Sequence, residues 1–332
     1  MRDPRRHLAV LAVCLLVWQI PVAEAVGVCS ERDCGEMKRR PQGILTGMPF
    51  MTHVASRSFV DDAGRKIFIS KPPARIISLA PSITEMVFAV GAGDSLIGVT
   101  EFCDFPPEAS SKQKVGYAHP SLEAMLALKP DLVLATREVL KSEAMLKLDQ
   151  LKIPTFIINP TTIEDILAHV QTLGRMLDHP SEANKVTMEL RNQISEIKSR
   201  AGELQPVRVL YVLNSHPLIT VGPGSYIDQL IGMAGGVNIG RLGASPYPHL
   251  SMEAVLQQDP EVLLFPIGVH EGISEHEQQS WRQWTTMTAI KQGRMHQIPA
   301  DLLNRPGPRI GAALDLLTGF LHPDLPSSGR AQ

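Results

Sequence analysis

The stretch that decides the fold is YAHPSLEAML at residues 117–126, because the chain carries it twice. A second copy, YPHLSMEAVL, occupies residues 247–256, and the match continues without a gap to residues 135 and 265. Eight of the 19 aligned positions are identical, whereas chains of average composition share roughly one or two. The chain therefore contains an internal duplication, and its two halves are expected to fold alike.

Short apolar runs alternate with amphipathic stretches around each copy. In the first half the pattern predicts strands at residues 75–80, 132–136 and 155–158, and helices at 82–90, 121–128 and 139–151. In the second half it predicts strands at 207–213, 218–221 and 262–265, and helices at 225–234, 251–257 and 310–320. Such alternation implies a parallel sheet covered by helices. The predicted fold class is α/β, with two similar Rossmann-like lobes, each built on a parallel sheet.

One long α-helix is predicted to join the lobes. Ser181 is a candidate N-cap, and no Gly or Pro interrupts residues 181–204 before Gly202. About 24 helical residues make a strut of roughly 35 Å, which holds the lobes at a nearly fixed separation. The apolar residues at helical intervals are Ala183, Val186, Met188, Leu190, Ile194 and Ile197.

The N-terminus has the features of a secretory signal peptide. Three arginines precede an apolar run at residues 8–20, and a small-x-small pattern ends at Ala25. The run is shorter than the roughly 20 residues that cross a bilayer. The predicted division is a signal peptide at 1–25, a tail at 26–55, an N-terminal lobe at 56–180, the linking helix at 181–204, a C-terminal lobe at 205–323 and a tail at 324–332.

Three cysteines follow the predicted cleavage site, so at most one internal disulfide can form. Cys29 and Cys34 are the candidates, because an exported protein meets oxidising conditions and the loop between them is short. Cys103 is interpreted as a small packed side chain.

Composition and motifs argue against nucleic-acid binding and against several classes of enzyme. A formal net charge of −2 offers no general attraction to nucleic acid. The sequence contains no G-x-S-x-G elbow, P-loop, H-E-x-x-H motif or dinucleotide-binding fingerprint. An exported two-lobed protein without catalytic motifs indicates a binding protein rather than an enzyme.

Glu123 and Glu253 hold equivalent positions in the two copies, each in the first turn of a predicted helix capped by a serine. A first-turn carboxylate favours the helix dipole, which explains either glutamate alone. The duplication suggests a second role. Two matched charges on two rigidly joined lobes suit a partner with two-fold symmetry.

The loops before these helices follow strand ends, which is where parallel α/β lobes bind ligands. Tyr117 and Tyr247 are candidates for ligand contact, with loop packing as the alternative. His119 and His249 are weaker candidates, either as ligand or metal contacts or as solvated loop residues.

Further motifs carry a resemblance to a known family. They are RIISLAPSITE at 75–85, CDFPP at 103–107, LKPDLV at 128–133, GGVN at 235–238 and RPGPR at 305–309. Together with the duplicated segment, they resemble the periplasmic binding proteins of cobalamin and iron-chelate ABC importers over about residues 56–322. The resemblance implies a monomeric periplasmic protein with two lobes, one linking helix and a small closing motion. It also implies that Glu123 and Glu253 dock on arginines of a permease dimer that works with ATPase subunits.

Within this family the sequence is most similar to cobalamin-binding members. There, aromatic residues six positions before each glutamate pack on the corrin, and Tyr117 and Tyr247 occupy those positions. The implied function is capture of cobalamin between the lobes, with no resident cofactor. Haem and ferric siderophores are the alternatives, and Arg305 and Arg309 are candidates for the cleft arginines of siderophore-binding members. Arg309 has a second interpretation, as a brace for the loop before the last helix. A metal-dependent exported enzyme using His119, His249 and the glutamates is a further alternative.

Overall fold

Two parallel β-sheets organise the computed structural model, which describes residues 57–116, 120–138, 142–268 and 272–325. The strands are β1 (Arg57–Val60), β2 (Lys66–Ile69), β3 (Ile76–Ser78), β4 (Leu96–Val99), β5 (Gln113–Lys114), β6 (Leu132–Ala135), β7 (Thr155–Ile157), β8 (Val207–Tyr211), β9 (Asn214–Ser215), β10 (Leu218–Ile219), β11 (Gly236–Asn238), β12 (Val262–Ile267) and β13 (Met295–Pro299). The helices are α1 (Pro81–Ala89), α2 (Leu122–Ala127), α3 (Ser142–Gln150), α4 (Ile163–Leu177), α5 (Pro180–Ala201), α6 (Tyr226–Met233), α7 (Met252–Gln258), α8 (Glu275–Ser280), α9 (Thr288–Lys291), α10 (Ala300–Leu303) and α11 (Ile310–Leu321).

The first sheet has the order β5-β4-β3-β6-β7 and the second has the order β11-β8-β12-β13. Every pairing in both sheets is parallel. The predicted α/β class with two lobes and parallel sheets is confirmed. We call β1–α4 the N-terminal lobe and β8–α11 the C-terminal lobe.

The strand predicted at residues 218–221 is wrong in both extent and partner. Only Leu218 and Ile219 are extended as a strand, and they pair antiparallel with β9 instead of joining the four-stranded sheet. A parallel neighbour of β8 would need a crossover of about a dozen residues. The short connection after β8 leaves room only for a hairpin.

Helix α5 is the predicted link between the lobes, and its 22 residues span about 33 Å. It begins at Pro180, so Ser181 lies inside the helix and does not cap it. Proline suits the first helical position because its missing N–H would be unpaired there in any case. Met188 also differs from prediction: it is 59% exposed, whereas Leu190, Ile194 and Ile197 are buried as expected.

A continuous apolar core joins the lobes along α5. It combines Leu132 and Leu134 of β6, Ile194 of α5, and Val262 and Leu264 of β12. The alternate residues of β6 and β12 point to the opposite sheet faces, where each lobe has a separate core. Moving one lobe relative to the other would therefore expose apolar surface along α5.

Several predicted features lie outside the described residues. They are the signal peptide at 1–25, the tail at 26–55, the Cys29 and Cys34 pair, Tyr117, His119 and residues 326–332. Cys103 is a buried free cysteine, as the packed interpretation expects. No helix in the described part of the chain is both long enough and apolar enough to span a membrane.

Candidate functional site

Helices α2 and α7, which we call the glutamate helices, begin in the same way in both lobes. Ser121 accepts a hydrogen bond from the backbone N–H of Ala124 at 3.2 Å, and Ser251 accepts one from Ala254 at 3.2 Å. Both serines are the N-caps predicted from sequence. A capping hydroxyl satisfies one of the unpaired N–H groups of a helix start, so each first turn has a defined orientation.

An arginine supports the other end of each glutamate helix. Arg75 Nε donates to the carbonyl of Lys129 at 3.1 Å, and Arg208 Nε donates to the carbonyl of Asp259 at 2.9 Å. A carboxylate directly before the strand that follows each helix accepts a hydrogen bond from the backbone N–H of the same arginine. Asp131 accepts from Arg75 and Glu261 accepts from Arg208, each at 2.9 Å. Both helix ends are therefore held by the same contacts in the two lobes.

The two glutamates are exposed at the surface. Glu123 and Glu253 both lie in the first helical turn, and neither forms an ion pair with another described residue. The backbone N–H of Glu253 and the hydroxyl of Ser251 hold the pKa of the Glu253 carboxyl below its ordinary value. Met125 and Val255 place the two helices on the sheet faces away from the core along α5. Each lobe thus presents one exposed glutamate side chain on an outer face.

Tyr247 and His249 lie in the loop that follows β11 and leads into α7. The loop is tied down by backbone bonds from Thr220 to Pro248 and from Gly222 to Pro246. His249 forms an isolated bridge with Ile219 and is exposed. Tyr247 as a whole residue is 53% exposed. A rigid loop thus presents an aromatic side chain to solvent at the carboxyl edge of the sheet.

Tyr247 also faces the other lobe. Partial burial raises the pKa of its hydroxyl, and the charge of Glu138 raises it further. Glu138 follows β6 of the N-terminal lobe. A residue at the carboxyl edge of one sheet thus lies near a residue that follows the carboxyl end of a strand in the other sheet, an arrangement that suits a ligand cleft between two parallel lobes.

Arg305 and Arg309 follow β13, so they lie on the carboxyl-edge side of the C-terminal sheet, as Tyr247 does. Both arginines form ion pairs with carboxylates. Arg309 bonds both oxygens of Glu85, with Nε at 2.9 Å from Oε2 and Nη2 at 2.7 Å from Oε1. Arg305 Nη1 contacts Glu85 Oε1 at 3.3 Å and Asp104 Oδ1 at 2.6 Å. Arg309 Nη1 also contacts Asp301 Oδ2 at 2.9 Å. We call Glu85, Asp104, Asp301, Arg305 and Arg309 the interlobe charge cluster.

The interlobe charge cluster joins side chains of the two lobes by ion pairs. Glu85 comes from α1 after β3 and Asp104 follows β4, whereas both arginines follow β13. The Glu85 side chain is 1% exposed. Nearby, Gly307 lies so close to Ser82 and Glu85 that an added Cβ would be 3.5 Å from each. The two carboxyl edges are therefore in direct contact here.

In this cluster, burial and neighbouring charges shift the pKa of each affected group in opposite directions. Burial alone would raise the pKa of Asp104, but the hydrogen bond and positive charge of Arg305 outweigh it and hold that pKa below the ordinary value. Burial likewise disfavours both charged guanidinium groups, yet their carboxylate partners raise the pKa of Arg305 and of Arg309. Asp104, Arg305 and Arg309 are therefore held in their charged forms near neutral pH. The contact with Asp301, which lies in α10, agrees with the interpretation of Arg309 as a brace for the loop before α11.

Sequence reasoning did not identify Glu85, Asp104, Phe105 or Glu138 as site residues. Phe105 stacks on the guanidinium of Arg309, with 4.2 Å between Arg309 Cζ and the ring centroid. A signal for Glu85 exists in the sequence: it is the one charged residue among the buried side chains of α1. A buried carboxylate requires a partner, but its partners are more than 200 residues away along the chain.

Among the described residues, no group of three or more His, Cys, Asp or Glu side chains is arranged to hold a metal ion. His249 and Glu253 are described, and no such group includes them.

Comparison with known proteins gives the same family throughout. Residues 76–302 match the family described as periplasmic binding protein. The chain is 34% identical to the vitamin B12-binding protein of Vibrio parahaemolyticus over 257 residues, which cover 76% of this chain and 90% of that protein. It is 31% identical to the vitamin B12-binding protein of Vibrio cholerae over 252 residues, covering 75% and 90%.

Solved structures have the same fold. The periplasmic vitamin B12 binding protein BtuF of Vibrio cholerae superposes with a TM-score of 0.65 at 31% identity, covering 75% of this chain and 97% of that one. The periplasmic heme-binding protein RhuT from Roseiflexus sp. RS-1 superposes with a TM-score of 0.64 at 24% identity, covering 75% and 98%. At that lower identity the likeness extends to the fold alone.

Proposed function

The chain belongs to the periplasmic binding protein family, and we propose from this premise that it captures cobalamin or a related corrinoid and delivers it to an ABC importer permease. The observation that carries the ligand assignment is the 34% identity with a vitamin B12-binding protein across 76% of the chain. The two lobes, with their carboxyl edges facing each other, supply a cleft for it. Because α5 and a shared core join the lobes, the cleft is largely preformed.

The aromatic side chains at the cleft would provide apolar contact with a corrin ring. Tyr247 is exposed on a loop held by backbone hydrogen bonds, so little conformational entropy is lost when a ligand covers its ring. Tyr117 is the equivalent residue of the duplicated segment and would form the opposite wall. His119 and His249 would add polar contacts two residues after each tyrosine.

Haem and a ferric siderophore are the second candidates. A heme-binding protein has the same fold, and fold alone does not select the ligand. Siderophore recognition through Arg305 and Arg309 would require these arginines to share their charge with Glu85, Asp104 and Asp301. This pairing favours the corrinoid.

We propose no catalytic role for the protein. A metal-dependent enzyme using the histidines and the exposed glutamates would need these groups to converge on one ion. Glu253 instead points outward on the surface of α7. Metal analysis of the purified protein tests this, and a metal retained by the protein but lost on His119→Ala with His249→Ala would support the enzyme.

Ligand titration tests the central proposal. The purified protein is titrated with cyanocobalamin, hemin and several ferric siderophores, with absorbance and thermal shift as readouts. We expect saturable cyanocobalamin binding at micromolar concentration or below. Tyr247→Ala should weaken it roughly tenfold, because a large aromatic contact is lost. Phe68→Ala removes an aromatic ring from a residue of similar exposure, on β2, and is the matched control. Absence of saturable cyanocobalamin binding would overturn the assignment.

Delivery to the permease would depend on the glutamate helices. The exposed carboxylates of Glu123 and Glu253 suit arginines of a two-fold symmetric permease dimer that works with ATPase subunits. Glu123→Ala with Glu253→Ala should keep ligand affinity and weaken association with the cognate permease. Glu143→Ala with Glu189→Ala changes the net charge equally at two other exposed helical positions and should leave association unchanged. Equal association of both double variants would remove the proposed docking role.

The proposed location is the periplasm, with the signal peptide cleaved near Ala25. The arginines, short apolar run and small-x-small pattern of residues 1–25 support it. Mass spectrometry of the N-terminal peptide of exported protein tests it, and a peptide that retains residues 8–20 would contradict it. We further propose that the protein acts as a monomer, which sedimentation analysis would test.

A further inference from the structure

The interlobe charge cluster lies at the cleft that the proposed function uses. Asp104 and Glu85 follow strands of the N-terminal sheet, and Arg305 and Arg309 follow β13 of the C-terminal sheet. Tyr247 precedes α7 at the carboxyl edge of the same C-terminal sheet. A ligand held between the two sheet edges would therefore lie on the side of both sheets that carries these charges.

The cluster contains more negative than positive groups. Two guanidinium groups meet the three carboxylates of Glu85, Asp104 and Asp301. The arginine side chains are only 11% and 19% exposed, whereas the Asp104 side chain is 52% exposed. The part of the cluster that faces solvent is thus mainly a carboxylate.

Phe105 shields one of the two positive charges further. Its ring, in a residue that is 40% exposed, lies against the Arg309 guanidinium, with Arg309 Cζ 4.2 Å from the ring centroid. An approaching anion would meet an aromatic ring and the Asp104 carboxylate before it met a guanidinium. The affinity for a neutral ligand would not be reduced by this arrangement, because the aromatic ring offers apolar contact.

Resting on the proposed function, we propose that the interlobe charge cluster is a specificity determinant, and that Asp104 selects for net-neutral corrinoids against anionic chelates. The arginines are the groups that would attract a carboxylate-bearing ligand, and the three acidic side chains neutralise them. The same arginines, freed of these partners, would make the cleft receptive to anions.

Two variants of opposite charge effect test this. Dissociation constants are measured for cyanocobalamin, which is net neutral, and for hemin, which carries two propionates. Asp104→Asn removes a negative charge and should shift the hemin-to-cyanocobalamin preference toward hemin by about fivefold. Arg305→Gln removes a positive charge and should shift the preference the other way. Both shifts should shrink as salt rises from about 20 mM to about 500 mM.

A matched control separates local from general effects of charge. Asp178 pairs with Arg57 at 3.6 Å and has a 69% exposed side chain, but it lies at the C-terminal end of α4, away from the carboxyl edge. Asp178→Asn should leave the preference within twofold of the unaltered protein. Thermal unfolding of each variant verifies that it is folded.

The outcomes are distinct from those for the proposed function. If the unaltered protein does not bind cyanocobalamin, the proposed function fails, and this inference falls with it. If it does bind, yet Asp104→Asn and Arg305→Gln weaken both ligands by the same factor, the cluster has a structural role only and the inference is wrong. Opposite shifts in the two variants support it.

Discussion

Helices α1 and α6 are equivalent elements of the two lobes, and they contact the opposite lobe in chemically different ways. Each is followed by a glycine with φ of +81°, at Gly91 and Gly235. Six residues before that glycine stand Glu85 in α1 and Gln229 in α6. Glu85 accepts from both arginines of the C-terminal lobe, whereas Gln229 Oε1 accepts the backbone N–H of Ile163 in the N-terminal lobe at 3.0 Å.

The two helices share a geometry but differ in the chemistry of the contact that each makes. Both helices direct the residue six positions before the glycine toward the other lobe, so the two contacts occupy corresponding places in the two lobes. One contact is a buried carboxylate with two arginines and the other is a neutral amide with one N–H group. Buried ion pairs stabilise little overall, but they are sensitive to loss of one partner. The two contacts should therefore respond very differently to substitution.

Glu85→Gln makes the two helices chemically alike and has the largest expected effect. The side chain is 1% exposed, and removal of its charge leaves two buried arginines with weaker partners. We expect the free energy of unfolding to fall by about 3 kcal/mol. Urea unfolding of the purified protein measures it.

Gln229→Ala is the counterpart in the C-terminal lobe. It removes one neutral hydrogen bond to a backbone N–H, so the expected loss is about 1 kcal/mol. Equal losses for Glu85→Gln and Gln229→Ala would show that the charge of Glu85 is unimportant, and the comparison would fail.

The two glycines offer a second, smaller difference. Both have positive φ, which costs an L-residue about 1–2 kcal/mol. A Cβ on Gly91 would lie 3.4 Å from His179 Nδ1, but a Cβ on Gly235 would lie 2.5 Å from His322 Nε2 and 3.2 Å from the carbonyl of Ala201. We expect Gly91→Ala to cost about 1 kcal/mol and Gly235→Ala about 2 kcal/mol or more.

Thermal and urea unfolding measure both glycine variants. A Gly91→Ala variant that is less stable than Gly235→Ala would contradict the packing difference. Gly64→Ala controls for the backbone contribution, because Gly64 has φ of +77° and no atom within 4 Å of an added Cβ.

The smallest expected effect is a pKa change in the glutamate helix α7. The backbone N–H of Glu253 and the Ser251 hydroxyl lower the pKa of Glu253. A lowered folded-state pKa means that this group contributes stability above the ordinary glutamate pKa of about 4.3, and that the contribution is lost as pH falls through the folded value. Ser251→Ala should raise the Glu253 pKa toward its ordinary value, as measured by carbon-13 NMR titration.

Ser215→Ala serves as the control for that titration, because Ser215 lies in β9 and does not contact α7 through a hydrogen bond in the described chain. An unchanged Glu253 pKa in Ser251→Ala would show that the N-cap does not stabilise the carboxylate.

The sequence predicted much of the fold from the repeat and from periodicity. The two serine caps and the helix between the lobes follow from local patterns, because capping and amphipathic spacing depend on residues within a few positions of each other. The exceptions are informative. Ser181 was a plausible cap, but Pro180 begins the helix. Residues 218–221 were apolar enough for a sheet strand, but chain connectivity restricts them to a hairpin.

The candidate site was predicted less completely. Tyr247 and Arg309 stay predicted ligand-binding residues, and the sequence did not predict the pairing of Arg309 with Glu85, because the two residues are 224 positions apart. Asp104 and Phe105 stand in the CDFPP motif at 103–107 that carries the family resemblance, but no local pattern indicated that they contact Arg305 and Arg309.

By itself, the sequence determined that the protein has two like lobes, each with a serine-capped glutamate helix, joined by one helix. These properties depend on repetition and on contacts between near neighbours in the chain. Only the tertiary structure decided what Arg305 and Arg309 contact. Whether an arginine is free to meet a ligand depends on the charges around it, and folding brings those charges from distant parts of the chain.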